Sequence, residues 1–140
     1  MKLRYVLAWS LLSLCPLAHA APVQTEHVEA ELIAENLSAR SGDYDNWVAL
    51  RLRPDPGWHV YWRNPGDSGI PTQVQWVDLP AGVQAGEMRW PYPHPHSLGD
   101  LTNYGYDAET LHLIPLRVAG GEPLDLRANA RGLVCTDIRI

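Results

Sequence analysis

The sequence predicts an all-β sandwich of short antiparallel strands. Two observations carry that expectation: apolar residues recur with period two over short runs, and clusters of Gly, Pro, Asn and Asp separate those runs at intervals of about 8 to 12 residues. Beyond the first twenty residues, the apolar pattern is that of strands and not of helices.

Those first twenty residues stand apart. Lys2 and Arg4 open the chain, an apolar stretch follows from Tyr5 to Leu17, and Ala18-His19-Ala20 has the small-x-small form of a signal-peptidase site. The expected layout is a signal peptide over 1–20, cleaved after Ala20, and a single domain over 21–140. Its apolar stretch is short for a membrane span, and no later segment approaches the length needed. Cys15 lies inside the leader, where bulky Leu14 precedes it instead of the small residue of a lipoprotein signal. It is therefore expected to leave with the leader.

The strands follow in order. In "HVEAELIA" (27–34), Val28, Ala30 and Leu32 alternate with Glu29, Glu31 and Ile33. "ARSGDYDN" (39–46) has the composition of a loop, and "WVALRLR" (47–53) resumes alternation, with Val48, Leu50 and Leu52 opposite Arg51 and Arg53. A turn is expected at Asp55-Pro56-Gly57. After it, "WHVYW" (58–62) sets Trp58, Val60 and Trp62 on one face and His59 and Tyr61 on the other.

"RNPGDSGIP" (63–71) is dense in turn formers, and Pro65-Gly66 suits a type II turn in which Gly supplies positive φ. "TQVQWVDL" (72–79) and "GEMRW" (86–90) read as strands. "PYPHPHSLGD" (91–100) is kept out of a central ladder by its prolines, which donate no hydrogen bond. "LTNYGY" (101–106), "ETLHLIPLRV" (109–118) and "LDLRANARGLVC" (124–135) complete the set, the last with the longest clean alternation, Leu124 to Val134. Cys135 then falls just past a strand end, on the face opposite Val134. About eight such strands fit an immunoglobulin-like sandwich.

Composition narrows the function. Without the leader, nine basic side chains face sixteen acidic ones, a net charge of −7. The arginines are scattered, which argues against a nucleic-acid partner, since that interface needs clustered positive charge. No phosphate-binding Gly-rich loop, nucleophile elbow or HExxH zinc motif is present. Trp58, Trp62, Trp76 and Trp90 fall at strand spacing, which favours core packing over a ligand platform. His94 and His96, on either side of Pro95, are candidate ligands for copper, with Met88, His59 and His112 as further imidazole and thioether donors. Otherwise they decorate an exposed Pro-rich loop.

After cleavage Cys135 is the remaining cysteine, a single thiol in a compartment that permits disulfides. Around it lie "DPGWHVYWRNPGDSGIPT" (55–72), "RWPYP" (89–93), "NYGY" (103–106) and "LVC" (133–135). Together they resemble the amino-terminal periplasmic domain of DsbD-type thiol:disulfide interchange proteins, above all the ScsB-like branch linked to copper tolerance. The likeness runs from about His27 onward, and its specific part is WRNPGDSG.

The resemblance implies an immunoglobulin-like domain in the periplasm. Such a domain takes electrons from a membrane-embedded donor domain and passes them to thioredoxin-fold periplasmic proteins through a cysteine pair, with no organic cofactor. Cys135 matches the first cysteine of that pair; the second is expected at position 139, where this sequence has Arg139. The protein-disulfide reductase activity of the family is thus expected to be impaired. The resemblance further implies a domain that continues through another strand, so the sequence is expected to be incomplete at its C-terminus. The alternative is a non-catalytic binding module, holding copper through His94 and His96.

Overall fold

The computed structural model describes residues 21–34, 42–120 and 124–136. Residues 1–20, over which a leader is expected, and Arg139 lie outside the described residues. Every regular element among the described residues is a strand: β1 (Val23–Gln24), β2 (Val28–Ala34), β3 (Gly42–Pro54), β4 (Trp58–Gly66), β5 (Gln73–Val77), β6 (Val83–Ala85), β7 (His94–Leu98), β8 (Leu101–Tyr106), β9 (Thr110–Val118), β10 (Arg127–Arg131) and β11 (Val134–Thr136). No helix among them is long and apolar enough to cross a membrane.

A five-stranded sheet has the order β1-β2-β3-β9-β6 and a four-stranded sheet the order β11-β4-β8-β7, while β10 and β5 form a separate ribbon. All pairings are antiparallel. The fold is an immunoglobulin-like β-sandwich.

Alternation on β3 explains how the layers meet. Val48, Leu50 and Leu52 are buried, and the same period on β4 sends Val60 inward. Val28, Leu50, Leu52, Val60 and Tyr106 form one core, against which Trp62, Trp90 and Val134 pack. Val48, Val83, Ile114, Leu116 and Val118 form a second, closed by Trp76, Met88, Leu124 and Leu126. Val74 packs against both. Three of the four tryptophans considered above are therefore core residues. Trp58 is half-buried and stacks on His27, ring centroids 3.5 Å apart.

Four sequence expectations need correction. Residues 42–46, read as loop, open strand β3, and the ladder with β9 absorbs them through a register irregularity between Gly42 and Asn46. The 86–90 strand is reduced to a single bridge between Arg89 and Leu113, and a short β6 precedes it. The proline-rich 91–100 segment, considered above as a loop carrying His94 and His96, contains β7, which pairs with β8 at the sheet edge, so its exclusion from a central ladder holds. An edge position satisfies the constraint imposed by the missing donors.

Most consequential, the long alternation 124–135 is not one strand. β10 pairs with β5 and β11 pairs with β4, so the chain changes sheets at Gly132 and Leu133. Cys135 accordingly lies in the middle of β11 and not beyond a strand end.

Candidate functional site

The site is built on the outer face of the four-stranded sheet. Val60 faces the core, so its neighbours His59 and Tyr61 point the other way, yet they are only 3% and 2% exposed. Something must cover them on a face that would otherwise be wet. His96 supplies part of the cover: its imidazole stacks on that of His59, with centroids 4.4 Å apart and planes 8° off parallel. Tyr61 meets His59 edge-on at 5.0 Å.

The loop after β4 supplies the rest. Gly69 lies directly on the Tyr61 ring, where a Cβ atom would overlap the aromatic carbons, and its φ of 107° suits glycine alone. Gly66, with φ 89°, passes so close to the Thr102 carbonyl that a side chain there has no room. The positive φ expected at Pro65-Gly66 is thus present, at the end of β4.

Two β8 residues hold this loop. The Asp67 amide donates to the Thr102 carbonyl (3.1 Å), and the Thr102 amide donates back to Asp67 Oδ2 (2.8 Å). Asn103, 1% exposed, accepts from the Ser68 amide (2.9 Å) and hydroxyl (3.1 Å) at Oδ1.

Cys135 sits at the edge of the same face. The β11–β4 register pairs Val134 with Val60, Cys135 with His59 and Thr136 with Trp58. Paired residues project to the same side of a sheet, with Cβ atoms roughly 5 Å apart. The thiol is half-buried, and Sγ lies 3.6 Å from the Thr136 carbonyl oxygen. Thr136 fixes the strand end by donating its hydroxyl to the Gly57 carbonyl at 2.9 Å. Cys135 is the free cysteine among the described residues.

The other candidate ligands do not gather at one point. His94 is exposed at the start of β7, whereas His96 is buried against His59. The loop placement considered for both histidines is therefore replaced by an edge strand. Met88 packs into the second core. His112 is fully buried on the inner side, edge-on to Trp90 (4.9 Å) and Tyr106 (5.3 Å), and shares a hydrogen bond of 3.1 Å between its Nε2 and the Thr110 hydroxyl. Burial pushes the His112 pKa down to about 4, so it is neutral near pH 7. Burial also raises the Tyr106 phenol, which donates to the Pro91 carbonyl (2.8 Å). Among the described residues no group of three or more His, Cys, Asp or Glu side chains is arranged to hold a metal ion.

Sequence reasoning placed His59, Tyr61 and Cys135 on the faces they occupy. It missed the His59–His96 stack and the anchoring role of Asn103. The signal for both was present as polar residues inside otherwise strand-like runs, but only the register reveals their partners.

Residues 26–140 match the family described as thiol:disulfide interchange protein DsbD, N-terminal. The chain belongs to that family. A solved structure, the N-terminal periplasmic domain of ScsB from Proteus mirabilis, is similar with a TM-score of 0.68 at 21% sequence identity. The likeness covers 88% of this chain and 47% of that one, so this chain spans about half the length of the ScsB domain and shares its fold. No curated protein matches the sequence.

Proposed function

We propose that the chain is a periplasmic thiol:disulfide interchange domain that works through one thiol, Cys135. The observation that carries this reading is the placement of that half-buried cysteine on a three-residue strand, across from His59, in a member of the DsbD N-terminal family. The signal-like leader and the periplasmic location stated for the ScsB domain support the compartment.

The chemistry follows from sulfur exchange. The Cys135 thiol loses its proton to solvent, and the thiolate attacks one sulfur of a partner's disulfide. A bond forms between Cys135 and that sulfur as the partner's S–S bond breaks. The departing sulfur leaves with the bonding electron pair and takes up a proton. The partners are thioredoxin-fold proteins of the periplasm, and a membrane-embedded donor domain supplies the electrons that restore the thiol.

Resolution distinguishes this chain. Arg139 stands where the family pattern places a second cysteine, so no thiol at that position attacks the mixed disulfide. Release then depends on a thiol from another molecule or from the partner itself. The domain forms the adduct but is impaired in turnover.

The test uses a thioredoxin-fold protein whose active-site cysteine carries a 2-nitro-5-thiobenzoate group. Reduced chain should displace the coloured thiolate stoichiometrically and remain linked to the protein. The adduct should vanish on reduction and be absent with Cys135→Ala. Colour release or an adduct that persists in Cys135→Ala would overturn the assignment.

A further inference from the structure

We infer that the segment 67–72 is a strap that positions the strand bearing Cys135, an inference that rests on the redox role proposed for that residue. β11 has three residues and a single described ladder, to β4. So short a strand gains few ladder hydrogen bonds, and isolated two-stranded pairings are marginal in water. It needs a second attachment if the thiol is to be held in place.

The strap provides one, and it touches each strand concerned. Asp67 and Ser68 fix its start to Thr102 and Asn103 of β8. Gly69 then lies on the ring of Tyr61, the β4 residue that shares a face with His59. Ile70 accepts from the Leu133 amide at 3.2 Å, two residues before Cys135. Thr72, 6% exposed, lies against Gly132 so closely that a Cβ there would be 3.0 Å from its hydroxyl oxygen.

The strap is therefore the element at which the chain leaves the β10–β5 ribbon and enters the four-stranded sheet. Its far end is anchored by a side chain, Asn103, that makes no contact with the thiol's own strand through any of these bonds. Asn103 and Gly69 are positioning residues, acting on Cys135 through Ile70 and Leu133.

The experiment compares full chains. Gly69→Ala forces the strap off Tyr61, and Leu133→Pro deletes the donor to Ile70. Asn103→Ala removes the acceptor, while Asn103→Asp retains one. Amide hydrogen exchange at Val134–Thr136 should accelerate about tenfold or more in the first three, with β9 amides within about twofold of the parent, as expected for local opening. Reaction of Cys135 with the loaded thioredoxin-fold protein should slow about tenfold, whereas reaction with the small disulfide dithiobis(nitrobenzoate) should not slow, because only the protein needs a fixed strand. Asn103→Asp should lie closer to the parent than Asn103→Ala.

Unchanged protection at 134–136 in variants that retain β9 protection would overturn the inference. Should a variant lose β9 protection as well, Ser68→Ala, which removes one donor and spares the backbone, carries the same comparison with an effect of about threefold. A parent chain that fails to exchange with the loaded protein would overturn the redox reading, and protection at β11 would still decide the strap.

Discussion

Cys135 stands across the β11–β4 ladder from His59, whose imidazole is stacked on that of His96 at 4.4 Å. The thiol is thus flanked by a buried aromatic layer on a face of the sheet that alternation alone would leave to solvent. His59→Ala empties a site that is 3% exposed and abolishes both the His96 stack and the Tyr61 edge contact. Stability should fall by about 2–4 kcal/mol, as for other large-to-small changes in a packed interior. Urea denaturation measures this, and a loss below about 0.5 kcal/mol, the range of ordinary surface changes, would contradict the packing described.

Stability should also depend on pH through His112. The folded protein keeps this side chain neutral down to about 4, against 6.5 for the ordinary group. Below pH 6.5 the unfolded chain therefore binds a proton that the folded chain does not. The His112 contribution is flat above pH 6.5 and becomes increasingly unfavourable as pH falls toward 4, by up to about 3 kcal/mol. His112→Leu should flatten that part of the curve between pH 6.5 and 4. An identical slope in parent and variant would show that other groups govern acid unfolding.

On the opposite sheet, Arg51 bridges Glu29 at 3.3 Å and also pairs with Glu31, which is 7% exposed. Arg51→Ala strips the guanidinium from a buried carboxylate and should cost about 3 kcal/mol at pH 7. The double variant Arg51→Leu with Glu31→Leu should recover most of the loss, because both charges leave together. Thermal melts of the parent and these two variants make the comparison. A double variant no more stable than Arg51→Ala would rule out this account.

Introducing a second thiol at position 139 gives a gain-of-function test. Arg139→Cys should turn the single thiol into an oxidisable pair with Cys135. After mild oxidation the variant should lose both alkylatable thiols and a mass of about 2 Da, the two hydrogens of disulfide formation. Retention of two free thiols would count against the pairing that family likeness suggests.

Much of this arrangement is legible in the sequence because period two is a local property. The assignment of Val60 and Trp62 to one face of β4 and of His59 and Tyr61 to the other needs no knowledge of neighbours, and the core confirms the inward side. Alternation is silent about which strand lies alongside. It therefore runs Leu124 to Val134 together, although Gly132 and Leu133 are diverted by contacts with Thr72 and Ile70, sixty or more positions earlier. His96 shows the same limit. Pro95 excluded a central ladder, but it could not reveal that an edge strand would carry the next residue into contact with His59.

The change of sheet at Gly132 has a consequence for folding. β11 is held by β4 and by the Gly57 carbonyl, 79 positions before Thr136. Contacts so distant in sequence carry a loop-closure entropy that must be met before they contribute to stability. The cysteine reaches its setting when that long loop closes. Until then it is an unshielded sulfur on an unfinished domain, and its exposure to stray oxidants during maturation is set by how fast the rest of the domain folds.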